Sequence, residues 1–347
     1  MVTQRNYTCE EAFTVLRERT GVVIPVFFPD AVDISIGESL LEDTVSLFCT
    51  QVKDPGTICL SFDGGHAGLD RVKRLAEEYG VSTVTAPVNT GKLSAVTNGM
   101  RFLMEHRNPE FLAAVDQDGD HFANELMNFV RAALHITACA RIERVLVLGR
   151  RISRHRPMGF LRGELEELAD RMLLDALQYH AAVTHTPLRM ECANMFDEYP
   201  DFHSGYKLFS APLAQSVFYG EPQLCGVSGD CYHRHAVEAV MTVEALAHGA
   251  YLGVVNRSTI NEQPISTFGL VDRVHLAADK IIWPCKRLDI PPAFVEQWLA
   301  NHIPRLMLQT FSPDGKKELM AIRRTVLAAF GKEPYDDSDT LFQPLFI

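Results

Sequence analysis

Asp116, Asp118 and Asp120 stand at alternate positions directly after a run of five mostly apolar residues, Phe111 to Val115, and are followed by His121. Three like charges this close repel one another, and a hard divalent cation carrying a phosphorylated ligand relieves that repulsion. Oxygen-only ligands point to Mg2+ or Mn2+ rather than zinc. An acidic turn capping the following helix is the alternative, because turns favour aspartate. Lys92 is the second chemical feature. In Asn89-Thr90-Gly91-Lys92 a flexible glycine runs into a helix start, where amides and an ammonium can together hold phosphate oxygens. The spacing is not that of a P-loop, and the G-x-G-x-x-G dinucleotide fingerprint is absent after the first strand.

The elements that must position these groups follow in order. Thr8 to Glu11 has capping-box spacing and opens a helix expected to stop at Gly21, ahead of a core strand from Val22 to Phe28. Helical periodicity over residues 38–52, 67–79, 92–106 and 122–135 alternates with strands at 57–62, 82–85, 111–116 and 144–149, the pattern of parallel β-α-β units. In open α/β sheets ligands bind beyond the carboxyl ends of the strands, which is where Asp63, Lys92 and the aspartate cluster fall. The second half is less regular: a long helix over 162–180, a turn from Asp201 into a short strand reaching Ser210, a helix over 233–248 and a strand from Tyr251 to Val255. Helices are expected over 272–283, 292–305 and 315–330, a turn at Asn261 to Pro264 and a loop from Tyr335 to Thr340. The organisation read from this is a doubly wound nucleotide-binding half (1–150), a second half of the same domain (151–269) and a helical C-terminal extension (270–347).

The 347 residues carry a formal net charge of −11, 47% hydrophobic residues and a pI near 5.6. That acidity argues against a nucleic-acid partner, which needs a basic stripe to neutralise phosphates. No apolar run approaches the roughly 18 residues of a membrane span and no signal-peptide pattern opens the chain, so a cytoplasmic protein is expected. Eight scattered cysteines without C-x-x-C pairs read as reduced, mostly buried thiols.

Six stretches in order resemble a GT-A glycosyltransferase of the family-2 group that includes the dolichyl- and polyprenyl-phosphate hexose synthases. They are Val22 to Val26, Ser61-Phe62-Asp63, Asn89 to Lys92 with Asn98-Gly99, Asp116 to His121, Leu148 to Arg151, and Asp201 with Ser204-Gly205-Tyr206-Lys207. The resemblance implies an α/β fold, a mostly parallel Rossmann-like sheet flanked by helices, and transfer of a hexose from a nucleoside-diphosphate sugar. It implies that Pro25, Val26 and Asp63 line the nucleoside site and that Lys92 and Asp116 lie near the phosphates. Asp116, Asp118 and Asp120 would hold Mg2+ or Mn2+, with His235 as a further ligand. Arg151 would bind a phosphate or carboxylate on the acceptor, with an ordinary salt bridge among Arg150, Arg154 and Arg156 as the equal alternative. Asp230, with Asp201, is the candidate base where the acceptor is a hydroxyl, which must lose a proton. Glu238 and Glu244, six residues apart, do not share a helical face and are not read as a catalytic pair.

The chain departs from the family at Phe28-Pro29-Asp30, where the relatives carry Asn-Glu, and at Gly65, where they carry Ser. The acceptor is left open between a polyprenyl phosphate and a small soluble hydroxy acid of the glycerate type, as is a homo-oligomer. A sugar-phosphate nucleotidyltransferase and a non-catalytic sugar-nucleotide-binding protein are the rival readings, the first weakened because Phe27 to Asp30 offers no Gly-rich loop.

Overall fold

The computed structural model describes residues 7–29, 33–65, 67–193, 199–260, 262, 272–333 and 341–342. Asp30, the loop 335–340 and most of the turn 261–264 lie outside them. Seven strands are β1 (Thr20–Val26), β2 (Ile58–Phe62), β3 (Ser82–Thr85), β4 (Phe111–Ala114), β5 (Val145–Arg151), β6 (Lys207–Ser210) and β7 (Tyr251–Arg257). They form one sheet of order β3-β2-β1-β4-β6-β5-β7. β6 runs antiparallel to both β4 and β5, and the other pairs are parallel.

The helices are α1 (Cys9–Arg19), α2 (Ser35–Cys49), α3 (Leu69–Tyr79), α4 (Lys92–Arg107), α5 (Leu126–Ala140), α6 (His155–Thr184), α7 (Ala211–Phe218), α8 (Val237–Ala247), α9 (Arg273–Arg287), α10 (Pro292–His302), α11 (Leu308–Phe311) and α12 (Gly315–Ala329). The Thr8 capping box is formed as expected. Gly21 does not end α1. The helix gives way at Arg19, and Gly21 lies inside β1, where a β-carbon would stand 3.0 Å from Leu103 of α4.

Side chains alternate across a strand, so a strand buried on both faces feeds two cores. In β1, Val22, Ile24 and Val26 join the core covered by α1, α2, α3 and α5, while Val23 joins the core shared with α4 and α6. In β5, Val145 and Val147 face the first core and Leu146 and Leu148 the second. Each such fully buried aliphatic side chain contributes on the order of 2 kcal/mol of transfer free energy, which is why these short apolar runs are strands of the sheet centre.

Three differences from the sequence reading bear on the site. α6 is 30 residues long and broken at Gly159 (φ 76°), so its regular part begins where the periodicity predicts while an extra turn precedes it. Helix α9, in the segment read as a C-terminal extension, contributes Ala278, Ile281 and Trp283 to the second core with residues of α6 and α8. No disulfide joins the cysteines, but they are not mostly buried: Cys9, Cys139, Cys192 and Cys225 are exposed, Cys49 is half-buried, and Cys59, Cys231 and Cys285 are buried. The exposed ones lie at a helix start, at a helix end and in irregular segments, positions an apolar pattern does not separate from the core.

Candidate active site

Beyond β4 the chain leaves the sheet and folds back on itself. The Asp116 amide donates to His121 Nδ1 at 2.9 Å, so that nitrogen is an acceptor and the ring proton sits on Nε2, 3.8 Å from Asp116 Oδ2. Burial, reinforced by the Arg257 charge, holds His121 well below the usual imidazole range. The ring stacks on Tyr206, which stacks on Phe129. Gln117 ties the same loop to the end of β1: its Nε2 donates to Phe27 O (2.8 Å) and its Oε1 accepts from Phe27 N (2.9 Å). The tip of the aspartate loop is thereby fixed to the central strand.

Lys92, the first residue of α4, reaches across to this loop. Its Nζ lies 2.7 Å from Asp116 Oδ1 and 2.8 Å from Glu238 Oε1. Burial alone lowers an ammonium's pKa, but Asp116 and Glu238 outweigh it and hold Lys92 above its ordinary value. Burial likewise works against the Asp116 carboxylate, and the Lys92 charge reverses the effect, so Asp116 stays ionised. The turn that aims Lys92 is built by Asp63, whose carboxylate accepts from the Thr90 amide (3.0 Å) and the Gly91 amide (2.8 Å). Gly91 has φ 114°, and a β-carbon there would stand 2.5 Å from the His233 carbonyl oxygen. Only glycine lets the single π-helical turn Cys231–His235 sit this close, and that turn delivers Glu238 on α8.

The three aspartates do not act alike. Asp118 takes the Asp120 amide at 3.2 Å, and burial followed by the Asp116 charge pushes its carboxyl up to about 6. Asp120 is committed elsewhere: its Oδ2 lies 3.0 Å from Arg257 Nη1 and its Oδ1 accepts from the Ile260 amide at 3.0 Å. Asp120 is thus the counter-ion of the buried Arg257, which distinguishes it from Asp116 and Asp118. These two carboxylates fit a hard cation. They offer oxygen donors only, and the raised Asp118 marks a concentration of negative charge that a divalent ion would neutralise. Among the described residues the histidine and carboxylate group that does converge, with ligand atoms within 4.8 Å, is His155, Glu164 and Glu167, across the Gly159 break. It is stitched into the fold, since Glu164 accepts from the Met307 amide and Glu167 pairs with Arg171.

The other residues singled out from sequence fall in four places. Pro25 and Val26 are buried in β1, in register with Ser61 and Phe62 of β2. Arg151 is buried and salt-bridged: it grips Asp201 with Nε (2.7 Å) and Nη2 (2.6 Å), while Nη2 also donates to Glu166 at 2.8 Å. Asp201 is fully buried, and Arg151 overcomes the cost of that burial and keeps it ionised. Asp230 is exposed and pairs with Arg234 one turn on. His235 turns its Nδ1 to Asp279 of α9, at 2.6 Å. Glu238 and Glu244 take separate partners, Lys92 and Arg287, in keeping with their not forming a pair.

Lys92, Asp116 and Glu238 line a cavity of about 70 Å3 together with Asp120, Arg151, His203, Arg257 and Lys280. Sequence reasoning missed Glu238 as the partner of Lys92, together with His203, Arg257 and Lys280. The one signal within reach was the position of His121 and His203, each next to a motif already chosen; the contribution of α9 had none.

The chain aligns with the structure of glucosyl-3-phosphoglycerate synthase from Mycobacterium tuberculosis in complex with Mn2+, UDP and glucosyl-3-phosphoglycerate, at 16% identity over 84% of this chain and 88% of that chain, with a TM-score of 0.51. The same enzyme in complex with phosphoglyceric acid aligns at 16% identity over 83% and 86%, also with a TM-score of 0.51. No protein-family model matches the chain, and no curated protein matches it. The seven-stranded, mostly parallel sheet flanked by helices therefore has the GT-A architecture of these neighbours.

Proposed function

We propose that this protein transfers a hexose from a nucleoside-diphosphate sugar to a small anionic acceptor carrying a hydroxyl group, with Mg2+ or Mn2+ held by Asp116 and Asp118. The observation that carries the reading is the contact between Lys92 Nζ and Asp116 Oδ1, 2.7 Å apart at the carboxyl end of β4. Breaking the bond between sugar and diphosphate builds negative charge on the leaving phosphate. A divalent cation at the two aspartates supplies Lewis-acid stabilisation of that charge. Lys92 supplies a second, fixed positive charge, held ready by the Asp63 turn. Arg257 and the Gln117 clamp keep the aspartate loop in place while the diphosphate departs. Nucleoside contacts by Pro25, Val26 and Asp63 remain part of the proposal through the backbone of the turns that follow β1 and β2. A cytoplasmic location is retained with it.

The acceptor reading rests on the cavity. Its wall presents charged groups, Arg151 and Lys280 among them, which suit a phosphate or carboxylate. A neighbour of the same fold is described with phosphoglyceric acid bound, which agrees with a hydroxy-acid acceptor. A polyprenyl phosphate, the acceptor suggested by the sequence resemblance, is the second candidate; no helix among the described residues is long and apolar enough to cross a membrane. The test is release of nucleoside diphosphate from a panel of UDP- and GDP-sugars with and without 3-phosphoglycerate. Release is expected to require Mn2+ or Mg2+ and to be lost in Asp118→Ala. Pyrophosphate release would instead identify a nucleotidyltransferase, and tight donor binding without turnover a non-catalytic binding protein.

A further inference from the structure

A second cavity, of about 570 Å3, lies between α1, α5 and the edge strand β7, and it shares no lining residue with the one that holds Lys92 and Asp116. That volume falls in the usual range of small-molecule pockets. It exists because Ala12 and Ala132, where α1 and α5 pack, are too small to fill the gap between the helices. Asn128, Arg131, Ala132 and His135 stand at i, i+3, i+4 and i+7 of α5, so their side chains form one stripe facing the opening. Tyr7 and Asn256 border it from the start of α1 and from β7. Arg131 is exposed, and among the described residues its guanidinium has no carboxylate or hydrogen-bond partner. The Asn128 amide and the Tyr7 hydroxyl likewise have none. Asn256 accepts from Arg150 Nε at its Oδ1 (3.0 Å), which leaves the Nδ2 hydrogens for another acceptor.

The wall is therefore rich in donors, and no carboxylate lines it among the described residues. Of the acids in the first turn of α1, Glu11 is folded back to take the Thr8 amide at 2.8 Å, and Glu10 is not on the wall. The other cavity differs, since Lys92, Arg151, Arg257 and Lys280 there each already face a carboxylate. In a chain of net charge −11, a cation in a concave site without an acid beside it is set to take its partner from outside. The guanidinium fork takes two oxygens of one group, and Asn128, Asn256 and Tyr7 add donors from other directions. A phosphate, with three terminal oxygens, satisfies more of them than a carboxylate does. The volume leaves room for an organic body against Ala12, Ala132 and the Tyr7 ring. We propose that this cleft is a second binding site that takes a small organic phosphate, held at its phosphate by Arg131 with Asn128 and Asn256 beside it. It does not rest on the glycosyl-transfer reading.

The experiment titrates the full chain by calorimetry without divalent metal, using glycerol 3-phosphate and UMP as probes and inorganic phosphate and acetate as controls. At least one of the two esters is expected to bind about tenfold more tightly than either control. Arg131→Glu, a change at an exposed position, is expected to weaken that binding by about tenfold or more. Lys92→Ala, in the other cavity, is expected to leave it within about twofold. Ester affinity unchanged in Arg131→Glu overturns the proposal, as does binding lost in Lys92→Ala alone, which would put the anion in the candidate active site. Neither ester binding saturably, or acetate or inorganic phosphate binding as tightly as the esters, overturns it as well. A variant that does not fold is replaced by a measurement on the unaltered protein. In 15N-arginine-labelled protein the Arg131 Nε resonance is expected to shift on addition of the bound ester, and an unmoved resonance overturns the proposal. Because every readout is binding without metal or sugar donor, failure here leaves the transfer reading standing, and absence of transfer leaves this site untouched.

Discussion

The α-carbon of Gly205 and the carboxylate of Asp116 share one space: a methyl group built on Gly205 would stand 2.5 Å from Asp116 Oδ2. Gly205 lies in the turn before β6, the strand that enters the sheet against the direction of its neighbours, so the packing of β6 sets where Asp116 points. Gly205→Ala is expected to displace the carboxylate rather than the backbone, because the nearest atoms are the free end of a side chain. Turnover should fall at least tenfold and stability by about 1–3 kcal/mol, the usual cost of overpacking. Mn2+ titration and urea unfolding of the same sample separate the two effects. Unaltered Mn2+ affinity would show that Asp116 has room to yield.

Lys92 bridges Asp116 and Glu238, and its removal leaves two carboxylates facing each other. Lys92→Ala is expected to reduce turnover by about 10²- to 10³-fold, as loss of one fixed donor to a developing charge does elsewhere. The same variant should bind Mn2+ more tightly, since Asp116 no longer shares its charge with an ammonium. Paramagnetic titration of Mn2+ checks this, and weaker binding would mean that Lys92 holds the aspartate in place rather than competing for it.

Asp201 and Arg151 form a buried ion pair, and breaking one from a single side costs about 3–5 kcal/mol. Asp201→Asn should therefore lower the denaturant midpoint strongly, with activity falling only as far as the folded fraction does. A stable variant lacking activity would instead restore Asp201 to the catalytic role that its place in the motif suggests.

Lys207 gives a pH signature. Burial pushes its ammonium down to about 8 from an ordinary 10.5, and its Nζ donates to the Phe202 and Ser204 carbonyl oxygens. Between those two values the unfolded chain binds the proton and the folded chain does not, so this group makes stability rise with pH; below about 8 the full cost of the buried charge is carried. Lys207→Met lacks the titration. The stability of the unaltered protein relative to this variant should rise by about 3 kcal/mol between pH 8 and pH 10.5. Parallel unfolding curves across that range would mean that the folded chain holds the Lys207 proton as tightly as the unfolded chain does.

Much of this arrangement was legible in the residues. Apolar runs bounded by glycine and aspartate located the strands of the first half to within two or three residues, because buried parallel strands tolerate little else. The placement of Asp63, Lys92 and Asp116 at strand and helix ends followed from the same pattern. What failed to show was pairing over distance. Asp120 looks like its two neighbours in sequence and is set apart only by Arg257, 137 residues away. Glu238 lies 146 residues from Lys92, and Lys280 reaches the cavity from a segment read as an extension. Helix α7 was not anticipated either, since its first residues, Ala211 and Pro212, follow β6 without a loop to announce them.

The place of β6 in the sheet has one further consequence. β4 and β5 are joined only through a strand that comes more than fifty residues after β5 in the chain, and β7 completes that edge later still. A fragment ending near residue 150 would keep Asp63, Lys92 and Asp116 yet leave β4 and β5 as bare, aggregation-prone borders. On the proposed function, donor binding would then depend on the strand supplied by the second half, and co-expressed halves should regain donor affinity only when the second fragment brings β6 with it.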